Sequence, residues 1–308
     1  MKIIPYSDLE SKDGLLPLLD HAFYWVFNHR QFDKLVKIDS RLKNGPVGFC
    51  AVEDGRITGH VGVMDLATRA LDRSIEYAGG LYNVATLPGY TQKGVCTTLM
   101  SKAHEYFRDK RYRFSFLSTS QALVAHALYE KLGYVDLTQY PSVYKVFHDK
   151  KTKHPSKENT KGFDLERILG IYNNFSRDKT GFVVRDRAFF KMLRARAKIE
   201  GIKPEMCIIG EEGYVMFRED KTGIWIRELV ALNVEQMHEL IDILENRTRG
   251  AVYDREVLDS RLWEVYRSRG YVIQNSSFGL MMFKPLVSGA SFKKTYGDRF
   301  YMSRLDAF

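Results

Sequence analysis

The stretch from Leu81 to Tyr106, LYNVATLPGYTQKGVCTTLMSKAHEY, constrains the fold of this 308-residue chain more than any other. Its first residues read as an extended strand that ends at Pro88-Gly89. A helical pattern follows, with an apolar residue at every fourth position from Val95 to Phe107. A strand, a tight loop and a helix in this order point the unpaired N–H groups of the helix forward. Such an end favours an anion, phosphate above all.

The connection between this strand and this helix is small and polar. Gly94 has no Cβ, so the backbone can approach a ligand closely there, and Lys93 adds a positive charge. The spacing matches neither the Walker nor the Rossmann pattern. On these residues alone, an ordinary strand–helix connection with a glycine turn is favoured over a phosphate loop.

The composition is that of a globular protein with one large or two ordinary domains. No apolar run approaches the ~20 residues that a membrane span needs. The three cysteines (Cys50, Cys96 and Cys207) are far apart and lack metal-ligand spacing, which predicts reduced thiols, no metal and a cytoplasmic location. The net charge of +9 is mostly interspersed with acids. We therefore expect no nucleic-acid partner and no membrane partner, although the basic stretches leave a nucleic-acid or ribosome-associated module as a distant alternative.

Residues 148–162, HDKKTKHPSKENTKG, form the clearest linker, because they are polar and basic with almost no apolar content. The second half repeats the first in outline, but it lacks the glycine loop. We predict a first domain over residues 1–147, the linker, a second domain over residues 163–285, and a tail over residues 286–308.

Two further expectations concern the strands. Within a long strand over residues 73–87, Gly79-Gly80 marks a bulge or a splayed strand. A strand that starts at Gly270-Tyr271 is expected to pair with residues 279–283, as residues 134–137 and 142–147 close the first half.

The first half resembles the GNAT superfamily of acetyl-CoA-dependent N-acetyltransferases. The loop of that family reads Arg/Gln-x-x-Gly-x-Gly/Ala, and it corresponds here to Thr91–Cys96, with Thr91 and Cys96 departing from the pattern. The closing helix of the family corresponds to Ala125–Tyr134, ALYEKLGY in its last eight residues, which puts Tyr129 in the place of the family's tyrosine near the thioester sulfur. Ala122 stands where asparagine is frequent.

The whole chain resembles, more narrowly, the tandem GNATs of the enhanced intracellular survival class, which acetylate amines including aminoglycosides. This resemblance implies a mixed α/β (α+β) fold with two tandem GNAT-like units, each a central, mostly antiparallel sheet flanked by helices. It also implies a degenerate second unit and a tail that returns to the active site. The chain departs from the class by being shorter, since it ends about twenty residues after the second unit.

The resemblance assigns roles to the candidate site residues. It implies that the Tyr129 hydroxyl donates a proton to the leaving thiolate. It also implies that the carboxylate of a terminal phenylalanine, here Phe308, acts as the base. Glu76, on the strand that leads into the site, is the second candidate for the base, and Asp65 is the third. The residues expected to bind acetyl-CoA are Val84, Ala85, Thr86, Thr91, Gln92, Lys93, Gly94, Val95, Cys96 and Thr97.

The sequence thus predicts an acetyl-CoA-dependent N-acetyltransferase that moves an acetyl group directly to an amine of a small molecule or peptide, with no metal. A GNAT-fold regulator that binds CoA with weak catalysis is the alternative, favoured by the changes at Thr91 and Ala122. The sequence is compatible with a homo-oligomer and does not name the acceptor.

Overall fold

The computed structural model describes residues 1–24, 26–147, 163–199, 207–257, 259–275, 279–303 and 305–306. These residues divide into two compact units, and each unit draws on two separate parts of the chain. Unit 1 comprises Met1–Thr138 and Leu280–Asp298, and unit 2 comprises Gln139–Gly279 and the segment that begins at Arg299. The predicted linker over residues 148–162 lies outside the described residues.

The first part of unit 1 carries six strands and four helices in the described residues. They are β1 (Lys2–Pro5), α1 (Leu15–Phe23), α2 (His29–Ile38), β2 (Gly48–Glu53), β3 (Arg56–Arg69), β4 (Ile75–Thr86), α3 (Val95–Asp109), β5 (Phe114–Thr119), α4 (Val124–Lys131) and β6 (Val135–Thr138).

Unit 2 follows, and the last elements alternate between the units. They are β7 (Pro141–Val146), α5 (Leu165–Phe175), β8 (Thr180–Gly181), α6 (Arg187–Ile199), β9 (Cys207–Ile209), β10 (Gly213–Asp220), β11 (Gly223–Ala231), α7 (Val234–Arg247), β12 (Ala251–Asp254), α8 (Ser260–Ser268), β13 (Val272–Asn275), β14 (Leu280–Pro285), α9 (Phe292–Tyr296) and β15 (Phe300–Tyr301). Of these, β14 and α9 belong to unit 1.

The two sheets have the same strand plan. Unit 1 has the order β1-β2-β3-β4-β5-β14-β6, and unit 2 has the order β9-β10-β11-β12-β7-β13. Within these two orders, neighbouring strands are antiparallel except for the pairs β4–β5 and β11–β12, which are parallel. The two-residue strands β8 and β15, which lie outside these orders, also pair in parallel. Helices and sheet share apolar cores in both units, as for Leu99, Met100 and Phe107 of α3 against β3 and β4. The predicted pair of mostly antiparallel, helix-flanked sheets is confirmed.

One predicted pairing is wrong. Strand β13 pairs with β7, and β14 pairs with β5 and β6, so the two halves exchange a strand. The predicted domains, which follow the order of the sequence, therefore differ from the observed units. Residues 139–147 belong to unit 2, and residues 280–285 belong to unit 1. Local alternation indicates a strand but does not name its partner, and a connection of a few residues precedes each of the exchanged strands.

A buried charge cluster holds the last described residues inside unit 2. The Arg185 guanidinium donates to both oxygens of Glu228 at 2.8 and 2.9 Å, and to both oxygens of Asp306 at 2.9 Å. The side chains of Arg185 and Glu228 are each 1 % exposed. The Arg185 guanidinium also lies 4.1 Å from the ring centroid of Tyr172. The cluster therefore fixes the segment that contains Asp306 in the core of unit 2.

Replacing Arg185 with methionine should lower the free energy of unfolding by about 3–5 kcal/mol, because two carboxylates would be left buried without their cation. Urea unfolding followed by circular dichroism measures the change. Arg187→Met is the matched control, since Arg187 pairs with Glu166 on the surface and should contribute at most about 1 kcal/mol. Equal decreases in the free energy of unfolding of Arg185→Met and Arg187→Met would contradict the conclusion that the buried charge cluster stabilises unit 2.

Candidate active site

The parallel strands β4 and β5 separate after two paired positions. Gly79 pairs with Ser115 and Gly80 with Phe116, whereas β4 continues to Thr86 and β5 to Thr119. On their outer sides the strands stay paired, β4 with β3 and β5 with β14. The gap leaves backbone groups of residues 81–86 without a strand partner on one side, so they are free to bond a ligand. The expected splayed strand is confirmed.

The bulge lies further along β4 than Gly79-Gly80, where the sequence placed it. His60 pairs with Ala85 and Gly62 with Tyr82, so Asn83 and Val84 together oppose one residue of β3. Asn83 has a φ of 48°. Gly79 keeps a regular register, and the reason for its glycine is space, because a Cβ there would lie 2.4 Å from the Phe107 ring.

A buried histidine supports the bulge from β3. The Nδ1–H of His60 donates to the Asn83 carbonyl at 2.9 Å. Burial lowers the pKa of His60 to about 4, against the smaller opposite effect of this hydrogen bond. His60 is therefore a neutral structural group at pH 7. Sequence analysis missed the role of Asn83, because a bulge at a non-glycine residue leaves only asparagine's tolerance of positive φ as a signal.

A buried hydroxyl at the end of β4 has no hydrogen-bond partner. The Thr86 Oγ1 atom is buried and unpaired in the described structure. Since an unpaired buried hydroxyl is costly, the Thr86 hydroxyl is a candidate for a hydrogen bond to a ligand. Thr86 belongs to the predicted cofactor-binding set.

The loop after β4 presents the N-terminus of α3 without a cap. Gly94 precedes the helix with a φ of 79°, no side chain caps the first turn, and the first turn carries no acid. The first intrahelical bond comes from the Thr98 N–H to the Gly94 carbonyl, which leaves the N–H groups of residues 95–97 without an intrahelical partner. A Cβ on Gly94 would meet nothing within 4 Å. This helix end is open and suited to an anion.

Three side chains near this helix end, those of Thr91, Lys93 and Cys96, have different surroundings. Thr91 donates its hydroxyl to the Pro88 carbonyl at 2.8 Å, so that hydroxyl closes a turn. The Lys93 Nζ atom lies 5.1 Å from the centre of the Tyr90 ring. Cys96, in the first turn of α3, is partly buried, and burial raises the pKa of its thiol to about 11.

Tyr129 lies on α4, close to the first turn of α3. It is 7 % exposed and packs edge-on against Tyr134, with ring centroids 6.0 Å apart. Burial, and next the charge of Cys96, raise the pKa of Tyr129 above its ordinary value. No partner accepts from or donates to its hydroxyl within the described ranges. The predicted proton donor is therefore protonated at pH 7 and beside the open helix end.

The second candidate for the base is placed unfavourably. Both oxygens of Glu76 accept from Arg113 at 2.7 Å. Glu76 is the second residue of β4, eight positions before Val84, which corresponds to about 26 Å along a strand. This bidentate pair and this separation argue against Glu76 as the base. Asp65 accepts from the Tyr106 hydroxyl at 3.1 Å. Phe308 lies outside the described residues.

Two further histidines of unit 1, His104 and His126, also have partners. His104 is buried, and its Nε2 lies 2.8 Å from the Tyr134 hydroxyl, which lies 2.7 Å from Ser115 Oγ. Burial, with smaller effects of the charges of Lys284 and Arg108, lowers the pKa of His104 to about 3. His126 Nε2 lies 2.9 Å from Asp136 Oδ1.

The equivalent helix end in unit 2 is closed. Asn233 caps α7 by accepting from the Gln236 N–H at 2.8 Å, and Glu235 puts an acid in the first turn. Both features disfavour an anion there. This difference agrees with the prediction that only the first half carries a phosphate loop.

Two kinds of feature are absent from the described residues. No helix among them is long and apolar enough to cross a membrane. They also contain no group of three or more His, Cys, Asp and Glu side chains that could hold a metal ion.

The buried histidines make the stability of the protein depend on pH. Their folded pKa values of about 4 and about 3 lie below the ordinary 6.5, so the unfolded state binds more protons as the pH falls below 6.5. Each histidine should therefore lower the free energy of unfolding by up to about 1.4 kcal/mol per pH unit between pH 6 and pH 4. Urea unfolding at several pH values should show a shallower slope for His104→Gln. The exposed His21→Gln is the control, and an unchanged slope for His104→Gln would contradict the prediction.

Comparisons with known proteins agree with this geometry. Residues 8–135 match the family model of an acetyltransferase (GNAT) domain. A search of curated proteins finds no match. Among solved structures, a GCN5-related N-acetyltransferase from Kribbella flavida is similar over 92 % of this chain and 70 % of its own, with 16 % identity and a TM-score of 0.63. Eis1 from Mycobacterium abscessus is similar over 93 % and 74 %, with 15 % identity and a TM-score of 0.63.

A third structure has the same extent as this chain. A tandem GNAT protein from the clavulanic acid biosynthesis pathway is similar over 94 % of this chain and 99 % of its own, with 10 % identity and a TM-score of 0.56. At these identities the structures show the fold alone. Residues 8–135 are a GNAT acetyltransferase domain, and the chain as a whole has the fold of the tandem GNAT proteins.

Proposed function

We propose that unit 1 binds acetyl-CoA and transfers its acetyl group directly to an amine of a small molecule or peptide. The observation that most supports this proposal is that three features occur together in unit 1. They are the gap between β4 and β5, the uncapped end of α3, and the protonated Tyr129 beside that end. The acceptor class rests on the resemblance of the sequence to amine acetyltransferases.

The residues present fit this group. The open N–H groups of residues 95–97, with Lys93 nearby, would hold a diphosphate. The unpaired groups of β4 from Val84 to Thr86, including the orphaned Thr86 hydroxyl, would bond the amide-bearing arm of the cofactor. Gly94 would let the diphosphate approach the backbone. Bound acetyl-CoA supplies an acetyl thioester, an activated acyl group with a thiolate as the leaving group.

Two groups of this chain are suited to the charges that develop in the reaction. Backbone N–H groups at the bulge of Asn83 and Val84 would donate to the carbonyl oxygen as negative charge grows on it. The Tyr129 hydroxyl holds a proton at neutral pH and would donate it to the departing sulfur. An amine must be neutral to attack, so a base must also accept a proton. The Phe308 carboxylate stays a prediction for that role.

Direct transfer, without an acyl-enzyme, agrees with the state of Cys96. A raised pKa of about 11 keeps its thiol protonated at pH 7, and a thiol is a far poorer nucleophile than a thiolate. The cysteines Cys50, Cys96 and Cys207 are all free thiols, in keeping with the cytoplasmic location that the sequence predicts.

Tyr129→Phe should lower kcat by ~10²-fold or more, the scale of general acid catalysis, with little change in the Kd for CoA. Steady-state acetyl transfer to a panel of amines gives kcat, and calorimetry gives Kd. Tyr77→Phe is the control, because Tyr77 is a half-exposed tyrosine near the start of β4, far from the residues proposed to bind acetyl-CoA. Unchanged turnover in Tyr129→Phe would remove Tyr129 from the mechanism. Tight CoA binding by the native protein with no product from any amine would favour the regulator instead.

Thr97→Glu should weaken CoA binding without unfolding the protein. Thr97 is exposed in the first turn of α3, where an acid stabilises a helix by about 0.3–1 kcal/mol but repels a diphosphate. A unit charge about 4 Å away interacts by roughly 1–4 kcal/mol at a surface, so Kd should rise at least about fivefold.

Thr97→Gln, of the same size without the charge, is the control for this measurement. Equal CoA affinity of the two variants, with native melting temperatures, would place the diphosphate elsewhere.

A further inference from the structure

Both units carry an equivalent row of residues across four paired strands. In unit 1 the row consists of Gly80, Phe116, Phe283 and Val135, on β4, β5, β14 and β6. In unit 2 the directly paired row consists of Trp225, Tyr253, Tyr144 and Val272, on β11, β12, β7 and β13. The repeat therefore places two aromatic residues at the same two positions of each sheet.

Unit 1 shows what packs on such a row. Helix α9 lays Phe292 and Tyr296, which are one turn apart, over the rings of Phe116 and Phe283. The ring centroids of Phe283 and Phe292 are 4.6 Å apart, and those of Phe116 and Tyr296 are 6.2 Å apart. Tyr296 is fully buried and its hydroxyl lies 2.9 Å from Thr68 Oγ1. The row in unit 1 is thus covered by an aromatic helical turn.

The row in unit 2 lines an open groove of about 430 Å³. The rings of Trp225, Tyr253 and Tyr144 line it, with centroids 4.8 and 6.3 Å apart between neighbours, and each ring is partly exposed. The exposed Arg255 guanidinium lies 4.9 Å from the centroid of the Trp225 ring and 5.8 Å from that of the Tyr253 ring, where unit 1 has aromatic side chains of α9. Ala251 and Gly223, paired two positions before Tyr253 and Trp225, form its floor. Ala251 corresponds in register to Phe114 of unit 1, so the groove is deep where unit 1 has a ring.

The segment that would supply the cover in unit 2 lacks the residues for it. In unit 1, α9 follows the exchanged strand β14 after a few residues. In unit 2 the corresponding segment follows β7, and residues 148–162 contain no Phe, Tyr or Trp. A second copy of the chain would have to unpack α9 from its own unit to supply this turn, since Tyr296 is buried there.

We propose that the groove of unit 2 is a docking site for a partner protein's short helix that presents two aromatic side chains one turn apart. The occupant is the counterpart of Phe292 and Tyr296, and the groove binds it by the aromatic packing that unit 1 uses internally. An amphipathic helix in an apolar groove is a recurring mode of recognition, and its aromatic anchors carry most of the affinity. The site is separate from the cofactor site of unit 1 and does not depend on catalysis.

A labelled peptide of residues 288–298, SGASFKKTYGD, is the probe, and fluorescence anisotropy with the full-length protein is the measurement. We expect saturable binding that weakens at least tenfold when both peptide aromatics are alanine. Tyr144→Ser, which removes one wall ring, and Ala251→Gln, which fills the floor, should each weaken binding at least tenfold. Val272→Ser is the control, because Val272 lies in the same row and is 49 % exposed but does not line the groove.

Three outcomes would overturn the proposal. The first is that the protein binds the aromatic peptide and the alanine peptide with equal affinity. The second is that the native protein and Ala251→Gln bind the aromatic peptide with equal affinity. Ala251→Gln keeps all three rings, so it tests the groove even if Tyr144→Ser does not fold. The third is a dimer in sedimentation that Tyr144→Ser dissociates and the peptide does not, since the groove would then be covered by a second copy.

Discussion

The separation of β4 from β5 is the constraint on which the candidate active site depends. Parallel strands that stay paired satisfy each other's backbone groups, and a ligand then finds nothing to bond. Here the pairing stops after Gly80 and Phe116, while β3 and β14 hold the two strands from their outer sides. The bulge at Asn83 and Val84 adds a local bend on the β4 side, fixed by the hydrogen bond from His60. The opening is therefore built into rigid strands and needs no flexible loop.

The two units share this opening and differ in the helix beside it. Strands β11 and β12 are paired only from Gly223 to Ile226 on β11, although β11 continues to Ala231. In unit 2, however, Arg261 donates to the Leu232 carbonyl beside the end of β11, and Asn233 caps α7. In unit 1 the corresponding helix begins at an open Gly94 without a cap. The same strand arrangement thus leaves the helix end uncapped in unit 1 and closes it in unit 2 through a few side chains.

Sequence patterns predicted the elements well, and the site in part. The glycine loop and the helix from Val95 follow from local chemistry, because loop flexibility and helical spacing are local properties, whereas the interest of Tyr129 comes from the resemblance to the GNAT family. The bulge was misplaced at Gly79-Gly80, since a glycine chosen for space beside Phe107 gives the same signal as one chosen for a bulge. The pairing of Glu76 with Arg113, 37 residues away, is likewise a contact that spacing does not reveal, and it argues against Glu76 as the base.

The exchange of strands β7 and β14 also determines which parts of the chain unit 1 needs in order to fold. Strand β14 lies between β5 and β6 and contributes Leu280, Met281 and Met282, all buried, so the sheet of unit 1 is incomplete without residues that follow unit 2 in the chain. A peptide of residues 1–138 would expose the inner edge of β5 and leave the aromatic pair of Phe114 and Phe116 without α9. Neither unit is a contiguous domain that could be lost independently. The sheet of unit 1 is therefore completed only by residues 280–285, which the chain supplies after residues 139–279 of unit 2.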